Sequence, residues 1–97
     1  MAEYQITYWK EIPSMVSARE GRRERAKAEL SDRFQVAIDE AAMRAGLIGT
    51  DAYLEQWRRG DWQTREGNPS DVAAAVAVEL EAEYTPERLA KMARSNQ

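Results

Sequence analysis

The stretch MVSAREGRRERAKAEL, residues Met15–Leu30, decides the fold. It is rich in Ala, Arg, Glu and Lys, which favour a helix by intrinsic propensity. Its apolar spacing points the other way. Ala26, Ala28 and Leu30 alternate with Arg25, Lys27 and Glu29, and Val16 and Ala18 alternate in the same manner before Gly21. That is a period of two, the strand period, and not one of 3.6. A loop at Gly21-Arg22-Arg23 sets Ala18 opposite Ala26 and Val16 opposite Ala28, so both apolar rows fall on one face. The same register sets Glu20 opposite Glu24 near the tip, a small like-charge cost. The spacing predicts a β-hairpin, with a helix as the competing reading.

Outward from the hairpin, Tyr4 to Lys10 alternate and are rich in aromatic and β-branched residues, a strand signal. Tyr4, Ile6 and Tyr8 lie on one face of it and Gln5, Thr7 and Trp9 on the other. Pro13 is expected to end this strand. After the hairpin the period changes. Ser31 reads as a helix cap, and Phe34, Ala37, Ile38, Ala41, Ala42 and Ala45 form one stripe that stops at Gly46. Thr50 caps a second helix carrying Tyr53, Leu54 and Trp57 and ending before Gly60. Asp61–Glu66 reads as a short edge strand, and Ser70 as the cap of an Ala/Val-rich third helix. Thr85-Pro86 opens a fourth helix with Leu89 and Met92. Residues 95–97 are expected to fray. The expected fold is α+β: one domain over residues 4–94, with a small antiparallel sheet of hairpin, N-terminal strand and edge strand. About four helices pack on one of its faces.

At 97 residues the chain buries only about 60–65% of the surface its unfolded form exposes, so most large apolar residues are needed for the core. Histidine and cysteine are both absent. This excludes disulfides, thiolate nucleophiles, Cys/His zinc sites and Ser-His-Asp catalysis. No apolar run approaches the roughly 18–20 residues of a membrane span, and Met1-Ala2-Glu3-Tyr4 is not a basic leader, so a cytoplasmic location is expected. The net charge of −3 favours solubility. Within it, Arg19, Arg22, Arg23, Arg25 and Lys27 form a basic patch interrupted by Glu20 and Glu24. With acids inside it and no aromatic residue beside it in sequence, the patch reads as a solvated hairpin face, and nucleic-acid binding is not expected.

Several stretches together resemble the bacterial virulence-factor domain family. They are Ile6-Thr7-Tyr8-Trp9 with Ile12-Pro13, Arg33-Phe34-Gln35 with Ala37-Ile38-Asp39, Gly49-Thr50-Asp51-Ala52-Tyr53-Leu54 continuing to Trp57-Arg58-Arg59, and Arg65-Glu66-Gly67. The resemblance spans roughly residues 4–84. It implies a domain that also occurs in the longer conserved virulence factor C, beside HEAT-type repeats. The family label records a phenotype, and the resemblance carries over no catalytic residue. It also implies a link with one-carbon and corrinoid methyl-transfer proteins.

The candidate sites are few. Tyr8, Tyr53 and Trp57 read as core aromatics. Trp9, opposed in parity to Ile6 and Tyr8, is expected on a sheet face away from the helices. With Thr7 and Trp62 it would form an exposed aromatic patch of the kind interfaces use. Arg58, Arg59 and Arg65 are expected near the exit of the second helix and the edge strand. They read as dipole complements or as a clamp for a partner's anionic group. The carboxylate pairs Asp39/Glu40 and Asp51/Glu55 read as exposed, which does not suit acid–base catalysis. The Ala73–Val78 run leaves small residues for a second helix or a homodimer contact. The leading expectation is a non-catalytic protein-interaction or accessory module without metal or cofactor. The alternatives are support of a methyl-transfer enzyme or a small ligand, in a groove of Trp9, Tyr53 or Trp57, and nucleic-acid binding through the basic hairpin.

Overall fold

Residues 15–30 form the hairpin. Strand β2 (Ile12–Glu20) pairs antiparallel with β3 (Glu24–Glu29), with Val16 opposite Ala28, Ala18 opposite Ala26 and Glu20 opposite Glu24. Gly21 turns the loop with φ at 64°, a left-handed conformation that costs glycine little. The computed structural model describes residues 1–95; Ser95, where fraying was expected to begin, is still helical, and Asn96 and Gln97 lie outside the described residues.

Strand β1 (Ala2–Trp9) lies along the other edge of β2 and completes the centre of a five-stranded antiparallel sheet. It ends at Trp9, where Lys10 takes a φ of 52° and the chain turns back through Glu11. Pro13 does not end it. Pro13 sits buried inside β2, opposite Tyr8, where the register with β1 shifts and Ser14 is left unpaired. A bulge is one of the few sheet positions that tolerates a residue without an N–H. The bulge also reverses the parity of β2. Ile12 joins Trp9 on one face, while Val16 joins Ile6 on the other.

The helices cover these faces separately. Helix α3 (Pro69–Glu83) packs Val72, Ala73, Val76 and Leu80 on Ala2, Val16 and Ala18. Helices α1 (Asp32–Arg44) and α4 (Pro86–Ser95) instead enclose Trp9 and Ile12 with Phe34, Ile38, Leu89 and Ala93. Leu30 and Tyr84 border both halves of the core. The alternation along β1 is as expected; a single helical layer on one face is not what covers it. Trp9 is therefore core, with no exposed surface.

The helix ends show two further differences. Helix α2 (Asp51–Glu55) starts as expected, with Thr50 Oγ1 accepting from the Tyr53 N–H at 3.3 Å, but ends well before Gly60. Trp57–Arg59 form strand β4 and Gln63–Arg65 form β5, and both pair with the edge of β1 that β2 leaves open. Pairing with that edge satisfies backbone groups that a continued short helix would have left to solvent. Helix α3 is capped by Asn68, not Ser70: the Asn68 Oδ1 accepts from the Asp71 N–H at 2.8 Å, and Pro69 follows as the first helical residue. Just before this cap, Gly67 has φ at 121°, and a Cβ there would stand 3.2 Å from Val72 Cγ2. Gly67→Ala is expected to cost about 1–3 kcal/mol, from backbone strain and crowding of the α3 packing. Urea unfolding would show it, and an unchanged midpoint would contradict the tightness of that turn.

Candidate functional site

Strand alternation sorts the charged residues onto two faces. Residues paired across a ladder share a face. Glu3, Gln5 and Thr7 of β1 therefore lie with Met15, Ser17 and Arg19 of β2, with Arg25, Lys27 and Glu29 of β3, and with Arg59 of β4. Toward the α1 end this face is closed by helices; the rest is open. A groove of about 200 Å³ runs over it, bordered by Thr7, Met15, Arg25, Lys27, Arg59 and Trp62. Glu20 and Glu24 point to the other face, where Glu20 accepts from the N-terminal ammonium at 3.0 Å.

Trp62, in the link between β4 and β5, is half-buried and held in place. The Arg19 guanidinium lies 3.8 Å from its ring centroid, and the Arg19 Nε donates to Glu3 Oε1 at 3.1 Å. Beside it, Gln5 Nε2 donates to the Gly60 carbonyl at 3.0 Å and fixes the link. Arg25, Lys27 and Arg59 carry no ion pair among the described residues. The face brings together Thr7, Trp62 and Arg59 of the expected surface and adds Arg25, Lys27 and Arg19 to it. The acids interspersed in sequence argued against a basic site there. The period of two that predicts the hairpin is the signal that moves those acids to the opposite face.

Trp9, Arg58 and Arg65 do not join this surface. Trp9 donates from Nε1 to the Tyr53 carbonyl at 3.0 Å, and its ring lies 5.6 Å from Tyr53, which in turn meets Trp57 edge-on at 6.3 Å. The three rings pack on one another instead of lining a groove. Arg65 reaches toward α3, donating through both terminal nitrogens to Glu79, with Nη1 at 3.0 Å from Oε1. These hydrogen bonds hold the Glu79 carboxyl below its ordinary range. Arg58 lies on the Tyr8 side of β4, the strand that directly follows the end of α2. Its guanidinium is 4.5 Å from the Tyr8 ring centroid, and its Nε donates to the Lys10 carbonyl at 3.0 Å. Three arginines close in sequence are thus sent in three directions, and no common anion clamp forms.

Around Arg58 lies a shallow depression that also takes in Tyr8, Glu11 and Tyr84. Burial pushes both phenols above the ordinary 10.0; at Tyr8 the neighbouring Tyr84 adds to the rise and Arg58 opposes it. The folded chain thus holds these protons more tightly than the unfolded chain. Their contribution to stability is complete below pH 10.0 and is lost as pH rises through the raised folded values. Urea midpoints are expected to fall above about pH 10, and Tyr8→Phe to flatten part of that fall. An identical alkaline slope in the variant would sink this assignment.

The carboxylates weighed for catalysis serve local structure or solvent. Asp39 accepts from Gln35 Nε2 at 2.9 Å, Glu40 pairs with Arg44 at 3.4 Å, and Asp51 and Glu55 are exposed. No polar or charged residue is buried among the described residues, and no three acids converge as a metal would require. No helix among them is long and apolar enough to cross a membrane.

A family model described as "Virulence factor" matches residues 7–93. The chain belongs to the virulence-factor family. The match takes in every basic residue of the open face of this virulence-factor domain, and Trp62 with them. No curated protein and no solved structure matches the chain.

Proposed function

We propose that this virulence-factor domain is a non-catalytic protein-interaction module, an accessory unit working in the cytoplasm. The observation that carries the reading is the open sheet face, where a braced Trp62 stands beside Arg25, Lys27 and Arg59. A tryptophan held rigid by its neighbours binds a partner at little conformational cost, and arginine and tryptophan are the residues interfaces favour as anchors. Asp39 and Glu40 are engaged in local pairs and Asp51 and Glu55 are exposed, which suits a binding role better than general acid–base work. The packing of Trp9, Tyr53 and Trp57 on one another argues against a ligand groove among those rings.

The test is quantitative capture from native lysate with the wild-type domain and with Trp62→Ala, followed by mass spectrometry and sizing chromatography. One protein recovered stoichiometrically by the wild type, and reduced at least about tenfold by Trp62→Ala, is the expected result. Trp62→Ala itself should shift stability by no more than about 1 kcal/mol, since the ring is only half-buried. Recovery of no stoichiometric partner, or equal recovery by both forms, would overturn the reading. A second copy of the chain bound through the outward Ala74 and Val78 of α3 would appear instead as a dimer on sizing, unaffected by Trp62→Ala.

A further inference from the structure

The open face carries a row of charge that the fold itself does not balance. Arg19 and Arg25 stand directly opposite each other across β2 and β3, an arrangement that destabilises a sheet. Arg19 is relieved on its other side by Glu3 and by the Trp62 ring. Arg25 has neither an acid nor a ring against it among the described residues. The next row sets Lys27 opposite Ser17, and beyond it Arg59 stands opposite Thr7. A chain of net charge −3 thus gathers around one groove three cations that carry no ion pair among the described residues, with Glu20 and Glu24 turned to the other face. Glu29 faces the same way at the α1 end and bounds the basic stretch there.

We infer that this groove receives an acidic, extended segment of the partner protein, its carboxylates on Arg25, Lys27 and Arg59 and an apolar side chain between Trp62 and Met15. The inference rests on the interaction reading above and specifies the chemistry of the partner. Guanidinium groups take carboxylates through two parallel hydrogen bonds, and Thr7 and Ser17 offer hydroxyls to the segment's backbone. A nucleic-acid strand would also meet the charge, but it draws on rings for base stacking. Trp62 is the one ring bordering this groove among the described residues, and Arg19 already covers one of its faces.

The experiment measures anisotropy of a labelled peptide of about ten Asp and Glu residues around a central Leu, against a charge-matched oligothymidylate. Saturable peptide binding is expected at low salt, weakening at least about tenfold as salt rises from about 50 to 300 mM. Arg25→Glu should weaken the peptide at least about tenfold while raising the melting midpoint of the isolated domain, because it places opposite charges across the Arg19 row. Arg65→Ala, on the α3 side, should leave peptide binding unchanged. Absence of saturable binding at low salt, indifference to Arg25→Glu, or tighter binding of oligothymidylate than of peptide would each overturn the inference. If the peptide fails while lysate capture still depends on Trp62, the acidic segment is wrong and the interaction reading stands. If capture survives Trp62→Ala as well, both fall.

Discussion

Trp9→Ala is expected to cost about 3–5 kcal/mol and to unfold much of the population at physiological temperature. The indole is fully buried between the start of the β1–β2 turn and helices α1 and α4, and its removal leaves a cavity that a backbone held by three strands cannot collapse. It also strips the Tyr53 carbonyl of its donor. Trp9→Phe separates these effects: it keeps most of the packing and loses the hydrogen bond, at a cost of about 1–2 kcal/mol. Trp57→Ala, at a half-buried ring that packs on Tyr53 and the Trp9 half of the core, should fall between Trp9→Ala and Trp62→Ala. Urea unfolding of the variants gives the order directly. Equal midpoints for Trp9→Ala and Trp62→Ala would mean that Trp9 does not anchor the core.

That Trp9 was expected at the surface shows what strand periodicity can and cannot say. Alternation established which side chains share a face, and every pairing expected of the hairpin, from Val16 with Ala28 to Glu20 with Glu24, is present. It did not say what lies over each face. Placing α1 and α4 on the Trp9 side depends on the Ser14 bulge, which turns Ile12 to that side and supplies a second large apolar residue to bury. A proline at position 13 signals an interruption of the ladder, but one strand ending and one strand bulging look alike in sequence. Strands β4 and β5 are shorter than any window in which a period can be measured, and pairing with β1 decides them. Arg58, Arg59 and Arg65 therefore could not be sorted by face beforehand. Asn68-Pro69 was a legible cap and first-turn signal, and Ser70 obscured it.

The second large effect lies where the two halves of the core meet, at Arg33 and Glu81. The Glu81 carboxylate accepts from the Ser31 N–H at 2.6 Å and the Ser31 hydroxyl at 2.8 Å, and it pairs with Arg33 at 3.0 Å. Ser31 thus spends its side chain on α3 and not on capping its own helix. The Arg33 Nη2 also donates to the carbonyls of Glu81 and Tyr84, at 2.7 and 3.1 Å, closing the last turn of α3 with a cation where the helix dipole favours one. Phe34, the next residue, meets the Tyr84 ring at 6.1 Å, so the polar clamp and the aromatic contact fix the same junction. Arg33→Ala is expected to cost about 2–3 kcal/mol, the range of charged hydrogen bonds reduced by the site's partial exposure. Arg33→Lys should restore part of the loss, because both carbonyls and the carboxylate meet the single Nη2 and one ammonium carries three donors. Arg33→Met should lose less than Arg33→Ala: the clamp already leaves the buried Arg33 Nε without a partner, and an apolar stem of similar length removes that cost while keeping the packing. A double-mutant cycle with Glu81→Ala should show coupling of about 1 kcal/mol or more. Additive losses would mean that α1 and α3 are joined by apolar contacts alone, and that Ser31, Arg33 and Glu81 merely decorate the junction.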